Sequence, residues 1–368
     1  MAAAAARLGL EIHRLLFEPL GPIDLLLLRR LIQEWLADTR VYDGFGGGVH
    51  PPAVFLLLWP LYGWAPAEFA RWVYAGVTAL VTVALVALLL REARPAGRAD
   101  RILLAAVLVG GYPTAITIGN GQVTLHILLA AIAAVLIALR QPPGWSRDAG
   151  LAALFLFALV KPNLTLPFFW VVAFTRGWLR PAAVALIAYL AVTALSVALH
   201  GIGLDGVRAL IAAWYDGGER GFVKSGYGNL HQWLGVLGLR DWIFPASGVV
   251  FALHGLWAWR HRDADVWVRI GVAAIVARFW AYHRLYDDLL LGFALIALYR
   301  LARGVAEAGG GDAAPTRRAW TLLVLGSVAF LAPVTPVVRH ASWAMVLLWL
   351  AMLVVLIDHA RAPASRAG

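Results

Sequence analysis

The chain has 368 residues, 61% of them hydrophobic and only 14% charged, with 36 Gly, 18 Pro and no Cys. That apolar content lies well above a soluble domain's, and the missing cysteines exclude disulfides, thiolate chemistry and Cys-based metal sites. The formal charge of +10 sits in short arginine clusters between long apolar runs instead of along one amphipathic face, which speaks for a membrane and against nucleic acid.

In chain order, residues 1–20 carry Arg7, Glu11, His13, Arg14 and Glu18, with no apolar run long enough to span and no signal-peptide pattern. Over 22–38, Leu25, Leu28, Ile32, Trp35 and Leu36 recur near helical period with Arg29, Arg30, Gln33 and Glu34 between them. This predicts an amphipathic helix in the membrane interface, with Asp24 at its start as an N-terminal cap. The stretch 42–52 (YDGFGGGVHPP) cannot form a regular element. A helix opening at Pro51 runs apolar to about Tyr62, too short to span, and is expected to be re-entrant or a half-helix. His50, just before it, is as well suited to a loop hydrogen bond as to a functional role.

Apolar stretches then recur at 67–90, 102–118, 123–140, 149–174, 182–200, 243–260, 266–282, 285–300, 319–337 and 342–357. Most approach the roughly 30 Å of a hydrocarbon core at about 1.5 Å per residue, so about nine full transmembrane helices are expected. The stretch 149–174 differs because Lys161-Pro162-Asn163 stands at its middle. It reads as two short helices whose polar junction faces protein or a watery cavity, not lipid. Arginines cluster at 91–101, 140–147, 176–180, 260–269, 300–318 and 361–366. All six fall on one side if 149–174 enters and returns, and the positive-inside rule makes that side cytoplasmic. The division predicted is an outer-face segment 1–66, a multi-span domain 67–357 with a large outer loop 201–242, and a cytoplasmic tail 358–368.

The outer side then holds the residues of chemical interest. Asn120 and Gln122 sit in a Gly-Asn-Gly-Gln turn, where amides can bond a polar ligand or simply make the turn. Lys161 in mid-segment demands an anion, either a ligand phosphate or an outer-loop carboxylate. The loop 201–242 brings Tyr215, Asp216, Glu219, Arg220, Lys224, Tyr227, Asn229, His231, Gln232 and Trp233. Such aromatics and amides suit sugar faces and hydroxyls, and also ordinary interfacial anchoring. Arg278, Tyr282, His283, Arg284, Tyr286, Asp287 and Asp288 crowd one further junction.

These pieces carry a resemblance. Asp24-Leu25 ahead of Val41-Tyr42-Asp43, His50-Pro51-Pro52, Gly119-Asn120-Gly121-Gln122-Val123, and Leu159-Val160-Lys161-Pro162 after Ala149-Gly150-Leu151 together resemble the polytopic glycosyltransferase family 87, of the GT-C fold class. The second half is similar mainly in pattern, through Asn229-Leu230 and Tyr286-Asp287. The resemblance implies an all-α polytopic membrane protein with a GT-C-like fold. It implies transfer of a hexosyl, mainly mannosyl, or pentosyl residue from a polyprenyl-phosphate donor to an acceptor hydroxyl outside the plasma membrane, with inversion. Asp24 would be the general base, with Lys161, Gln122, Asn120, His50, Asn229, His231, His283, Arg284 and Asp287 around donor phosphate or substrate. The partners are the lipid-linked donor, a glycolipid, polysaccharide or protein acceptor, and the bilayer, with no cofactor. Three features depart from the family: His50 replaces a tyrosine, Thr124 replaces an asparagine, and no transmembrane helix precedes Asp24, which suggests that the natural first span lies upstream of Met1. A transporter or lipid-linked sugar flippase is the rival reading. No duplicated halves support it, and the polar residues gather outside instead of midway along a path.

Overall fold

The computed structural model describes residues 2–37, 41, 50–174, 179–199, 205–213, 228–307, 313–332 and 334–361. Among them there is no strand, and the chain is an all-α polytopic membrane protein. The N-terminal part is α1 (Ala2–Phe17), α2 (Ile23–Ala37) and α3 (Ala53–Leu58), the last continued by a π turn over Trp59–Gly63. Leu25, Leu28, Leu31, Ile32 and Trp35 form the buried face of α2, as its period requires. The indole of Trp35 donates to Ser196 Oγ at 2.9 Å, and Ser196 donates to the Pro52 carbonyl at 2.8 Å. That chain of bonds ties α2 to the start of α3.

After Pro66 come α4 (Ala67–Ala93), α5 (Arg98–Gly110), α6 (Tyr112–Asn120) and α7 (Thr124–Arg140). Then follow α8 (Trp145–Ala158), α9 (Pro162–Ala173), α10 (Arg180–Ala198) and α11 over 205–213. The chain closes with α12 (Leu230–Val236), α13 (Ile243–Arg260), α14 (Val266–Phe279), a 3-10 turn Leu285–Leu290, α15 (Leu291–Glu307), α16 (Ala313–Leu331) and α17 (Val334–Arg361). Helix α4, α10, α13 with its preceding turn, and the 343–360 part of α17 are each long and apolar enough to cross a membrane. The pair α5 and α6 makes a fifth if taken as one span bent by 42°.

Among the described residues the remaining apolar runs give shorter or broken helices, because hydropathy does not show where a helix breaks. At Gly111 a Cβ would lie 2.2 Å from the Phe330 ring, and Pro113 follows in the first turn of α6, so the apolar run 102–118 is divided. The run 266–282 yields only the 14 residues of α14, and 285–300 begins as a 3-10 turn.

Helices α7, α14 and α15 are buried along most of their length and form the core. The flanking helices present large apolar side chains outward, among them Leu80 and Val83 of α4, Leu190 of α10, Leu253 of α13 and Val354 of α17. Lipid is the solvent that such faces fit.

Polar groups collect in two layers at opposite ends of the bundle. At the arginine-rich end, Glu92 pairs with Arg140 and accepts the Trp267 indole N–H at 3.3 Å, while Arg300 donates to the Glu92 carbonyl at 2.6 Å. Asp265 caps α14 by accepting from Trp267 N at 2.8 Å. The other layer gathers the ends of α2, α6, α8 and α14.

Candidate active site

The second layer is built on the break between α8 and α9. Pro162 has no N–H and its ring blocks a helix from running through it, so Lys161 adopts φ −123°, ψ 79° and caps α9. The Asn163 amide donates to the Tyr282 carbonyl at 2.9 Å and the Trp280 indole donates to the Asn163 carbonyl at 2.7 Å. These bonds fasten the break to the loop after α14, so the 149–174 stretch is two short helices with a protein-facing junction, as its sequence predicts.

Lys161 is the hub of that junction. Its ammonium donates to Gln122 Oε1 at 3.1 Å, Thr124 Oγ1 at 3.2 Å and Asp287 Oδ1 at 2.7 Å, and lies 4.9 Å from the Tyr286 ring centroid. Asp287 also accepts from Thr124 Oγ1 at 3.2 Å, and its Oδ2 accepts the Arg284 backbone N–H at 3.2 Å. Of the two partners open to Lys161 from sequence, the carboxylate is the one in place.

Asp24 reaches this group through a close approach that only glycine allows. Gly121 has φ +74°, and a Cβ there would meet Leu25 Cβ at 2.5 Å. The start of α2 therefore rests on the turn that carries Asn120 and Gln122. Tyr74 of α4 braces the turn from below, its hydroxyl 2.8 Å from the Gln122 carbonyl. Tyr74 lies two turns into α4, so the site is recessed by about 10 Å from that helix's start. Arg71 donates to the carbonyls of Glu18 and Pro19 at 2.9 and 2.7 Å and holds the chain entering α2.

Asp24 stands in the first turn of α2 and does not cap it; its Oδ2 is buried and accepts no hydrogen bond of good geometry. Burial raises its pKa above the usual aspartate value, and the Gln122 amide, Lys161, Arg284 and the Asn120 amide oppose that only in part. Asn120 is itself fixed by Arg14 of α1, whose Nη2 donates to Oδ1 at 2.6 Å.

A second buried group lies alongside. Asp288 pairs with Arg278 at 2.5 Å, accepts from the Tyr112 hydroxyl and lies 2.8 Å from His283 Nε2. Burial alone would raise the Asp288 pKa, but Arg278 and His283 more than reverse it. Burial and then Arg278 lower the pKa of His283, so the ring is neutral near pH 7. Arg284 is half-buried, with its Nε donating to the Tyr282 hydroxyl. Burial works against its charge, yet Tyr286, Tyr282 and Asp24 outweigh it and raise its pKa.

The sequence candidates thus divide. Asp24, Asn120, Gln122, Lys161, Arg284 and Asp287 come together, with His283 beneath them on Asp288. His50 is close enough for Lys161 to act on it, and burial followed by that charge lowers its pKa to about 4. Asn229 and His231 are engaged in holding α12: Asn229 caps it by accepting from Gln232 N at 3.0 Å, and His231 Nε2 is 2.7 Å from Ser247 Oγ of α13. Tyr215, Asp216, Glu219, Arg220, Lys224 and Tyr227 lie outside the described residues, as do Tyr42 and Asp43. Sequence reasoning missed Tyr74 and Tyr112, whose only signal is a hydroxyl in an apolar helix, and it met Thr124 only as a departure from the family pattern.

The arrangement sets one carboxylate, kept basic by burial, facing two cations and a pair of amides. It suits removal of a hydroxyl proton beside an anion that must be stabilised. Among known proteins, the family model of glycosyltransferase family 87 matches residues 49–304, more than two thirds of the chain. Gln122, Lys161, Arg284 and Asp287 fall within that stretch and Asp24 precedes it. No curated protein and no solved structure matches.

Proposed function

The chain belongs to glycosyltransferase family 87, and from that premise we propose that it moves a hexosyl residue, mannosyl foremost, or a pentosyl residue from a polyprenyl-phosphate donor to an acceptor hydroxyl. The acceptor is a glycolipid, a polysaccharide or a protein. The observation that carries the reading is the buried, unbonded Oδ2 of Asp24 opposite Lys161 and Arg284. Asp24 takes the acceptor's proton as that oxygen attacks the anomeric carbon. The carbon's bond to the phosphate oxygen breaks on the far side, and the phosphate leaves with the bonding pair, so the configuration inverts. Lys161 and Arg284 offset the charge that develops on it. A lipid phosphate is already a competent leaving group, so the reading calls for no cofactor.

A lipid-linked donor also requires room for its chain. Between α12 and α17 runs an apolar groove of about 410 Å³, lined by Trp233, Val236, Leu237, Trp343 and Val346. Gly228, at its edge, accepts from Arg278 at 3.4 Å, which links the groove to the Asp288 group. We assign the prenyl chain to it. The positive-inside rule puts the arginine-rich end in the cytoplasm and the site on the extracytoplasmic face of the plasma membrane.

The test is sugar release by purified protein from polyprenyl-phosphate mannose, with polyprenyl-phosphate pentose and a nucleotide sugar run beside it. Release from a lipid-linked donor alone supports the proposal. Release only from the nucleotide sugar overturns the donor, and movement of the intact lipid-linked sugar across a vesicle without release favours a flippase.

A further inference from the structure

The two cations beside Asp24 differ in what they have left to give. An ammonium carries three N–H donors, and Lys161 uses all three, on Gln122, Thr124 and Asp287. To take a phosphate oxygen it would have to release a buried partner. Arg284 is in the opposite condition. A guanidinium offers five N–H donors in a planar fork. Arg284 uses Nε on the Tyr282 hydroxyl and rests its plane 5.6 Å from the centroid of that ring. Neither of its Nη atoms has a hydrogen-bond partner among the described residues.

The position of that open fork is set by Lys161 through one carboxylate. Asp287 binds the ammonium with Oδ1 and the Arg284 backbone N–H with Oδ2, so the lysine holds the residue that holds the arginine. Asp24 and Arg284 act on each other electrostatically, yet no ion pair joins them. A carboxylate and a cation that face one another unpaired leave space for a substrate. Displacement with inversion needs that arrangement, with the base on one side of the reacting carbon and the leaving group's support on the other.

We propose that Arg284 is the residue that grips the donor's phosphate directly, and that Lys161 is a positioning residue that fixes Gln122, Thr124 and Asp287 around it. The inference rests on the polyprenyl-phosphate reading above and says which side chain does the recognising. Arg284 reads two phosphoryl oxygens with its parallel N–H groups, as a fork does and a point charge does not. Lys161 contributes its field and the geometry of the turn.

The experiment measures binding of farnesyl phosphate, and of farnesol as the chain without its phosphate, to full-length protein in detergent. Wild type is compared with Arg284→Gln, Arg284→Lys and Lys161→Met, and thermal unfolding is recorded for each. Arg284→Gln should weaken farnesyl phosphate by about 10-fold or more with farnesol and melting little changed, and Arg284→Lys should recover only part of the loss. The folded fraction of Lys161→Met should lose less farnesyl phosphate affinity than Arg284→Gln does, because Arg284 keeps its fork and loses only part of its support, while melting lower because a buried network has lost its centre. Loss of binding in Lys161→Met with Arg284→Gln unaffected would overturn the assignment and leave the donor reading intact. Equal losses of farnesyl phosphate and farnesol in Arg284→Gln would also overturn it. If wild type binds no farnesyl phosphate and releases no sugar from the lipid-linked donor, the donor reading falls and this inference with it.

Discussion

Lys161 and Asp287 form an ion pair sealed within the protein, Nζ to Oδ1 2.7 Å, with side chains 10% and 1% exposed. Removing one partner from such a pair strands the other charge at a cost of about 3–5 kcal/mol. Asp287→Ala should therefore lower the melting temperature in detergent sharply, and Lys161→Met in the same chain should recover part of the loss. A double-mutant cycle with no coupling between the two positions would show that the pair adds nothing to folding.

The sequence shows this pair only in halves. A lysine beside a proline in an apolar run announces that the helix breaks and that an anion must be near, but the anion is 126 residues further along. The same limit governs the rest of the site. Asp24 and Gln122 are each visible as polar residues at the ends of apolar stretches. What joins them is Gly121, whose role depends on the positive φ and on Leu25 lying against it. The expectation that Asp24 caps α2 failed because the cap position, Pro22, and the first-turn carboxylate differ by only two residues in register, which amphipathic periodicity does not resolve. Conversely, the break at Gly111 was hidden because it depends on a ring from α16.

Asp24→Asn keeps the size of the side chain and removes the base. Turnover should fall by something like 10²-fold or more with donor binding nearly unchanged. The measurement is single-turnover sugar transfer beside a donor-binding titration. Equal turnover by wild type and variant would remove Asp24 from the mechanism.

The pH profile carries the sign of the Asp24 shift. Burial raises its pKa, so protonation disables the base at a higher pH than an ordinary aspartate would allow, and the acid limb of kcat/KM should lie above the usual aspartate range. Arg284 opposes that rise, so Arg284→Gln should move the limb further up, measured on whatever activity the variant retains. A limb that moves down would contradict the placement of Arg284 near the carboxylate.

His231 makes the packing of α12 sensitive to acid. Burial holds its pKa near about 4, against an ordinary 6.5. The detached helix binds a proton below 6.5 and the packed helix only near 4, so the packed state loses stability as pH falls through that window and is unaffected above it. Protection of 230–236 against hydrogen exchange, taken relative to the intrinsic amide rate at each pH, should fall between about pH 7 and pH 5, and the fall should vanish in His231→Gln. Protection that is equal at both values would place the ring's proton elsewhere.

Gly121→Ala tests the link between the turn and the base. The residue sits at φ +74°, where an L side chain is strained by roughly 1–2 kcal/mol. The new methyl would also meet Leu25 Cβ at 2.5 Å, with the Leu25 backbone nitrogen and Pro22 Cβ both at 3.3 Å. None of those atoms is the free end of a flexible side chain, so relief requires the start of α2 to move, and Asp24 moves with it. Gln122 stays on Lys161 and Tyr74, because its bonds come from the other side of the turn. The variant should therefore lose transfer activity by at least about 10²-fold, as misplacing a reacting group by an ångström does, while donor binding through Arg284 persists. Leu25→Ala in the Gly121→Ala background makes room for the methyl and should return part of the activity at a further loss of stability. Full activity in Gly121→Ala alone would mean that the seating of α2 on this turn does not set the position of the base.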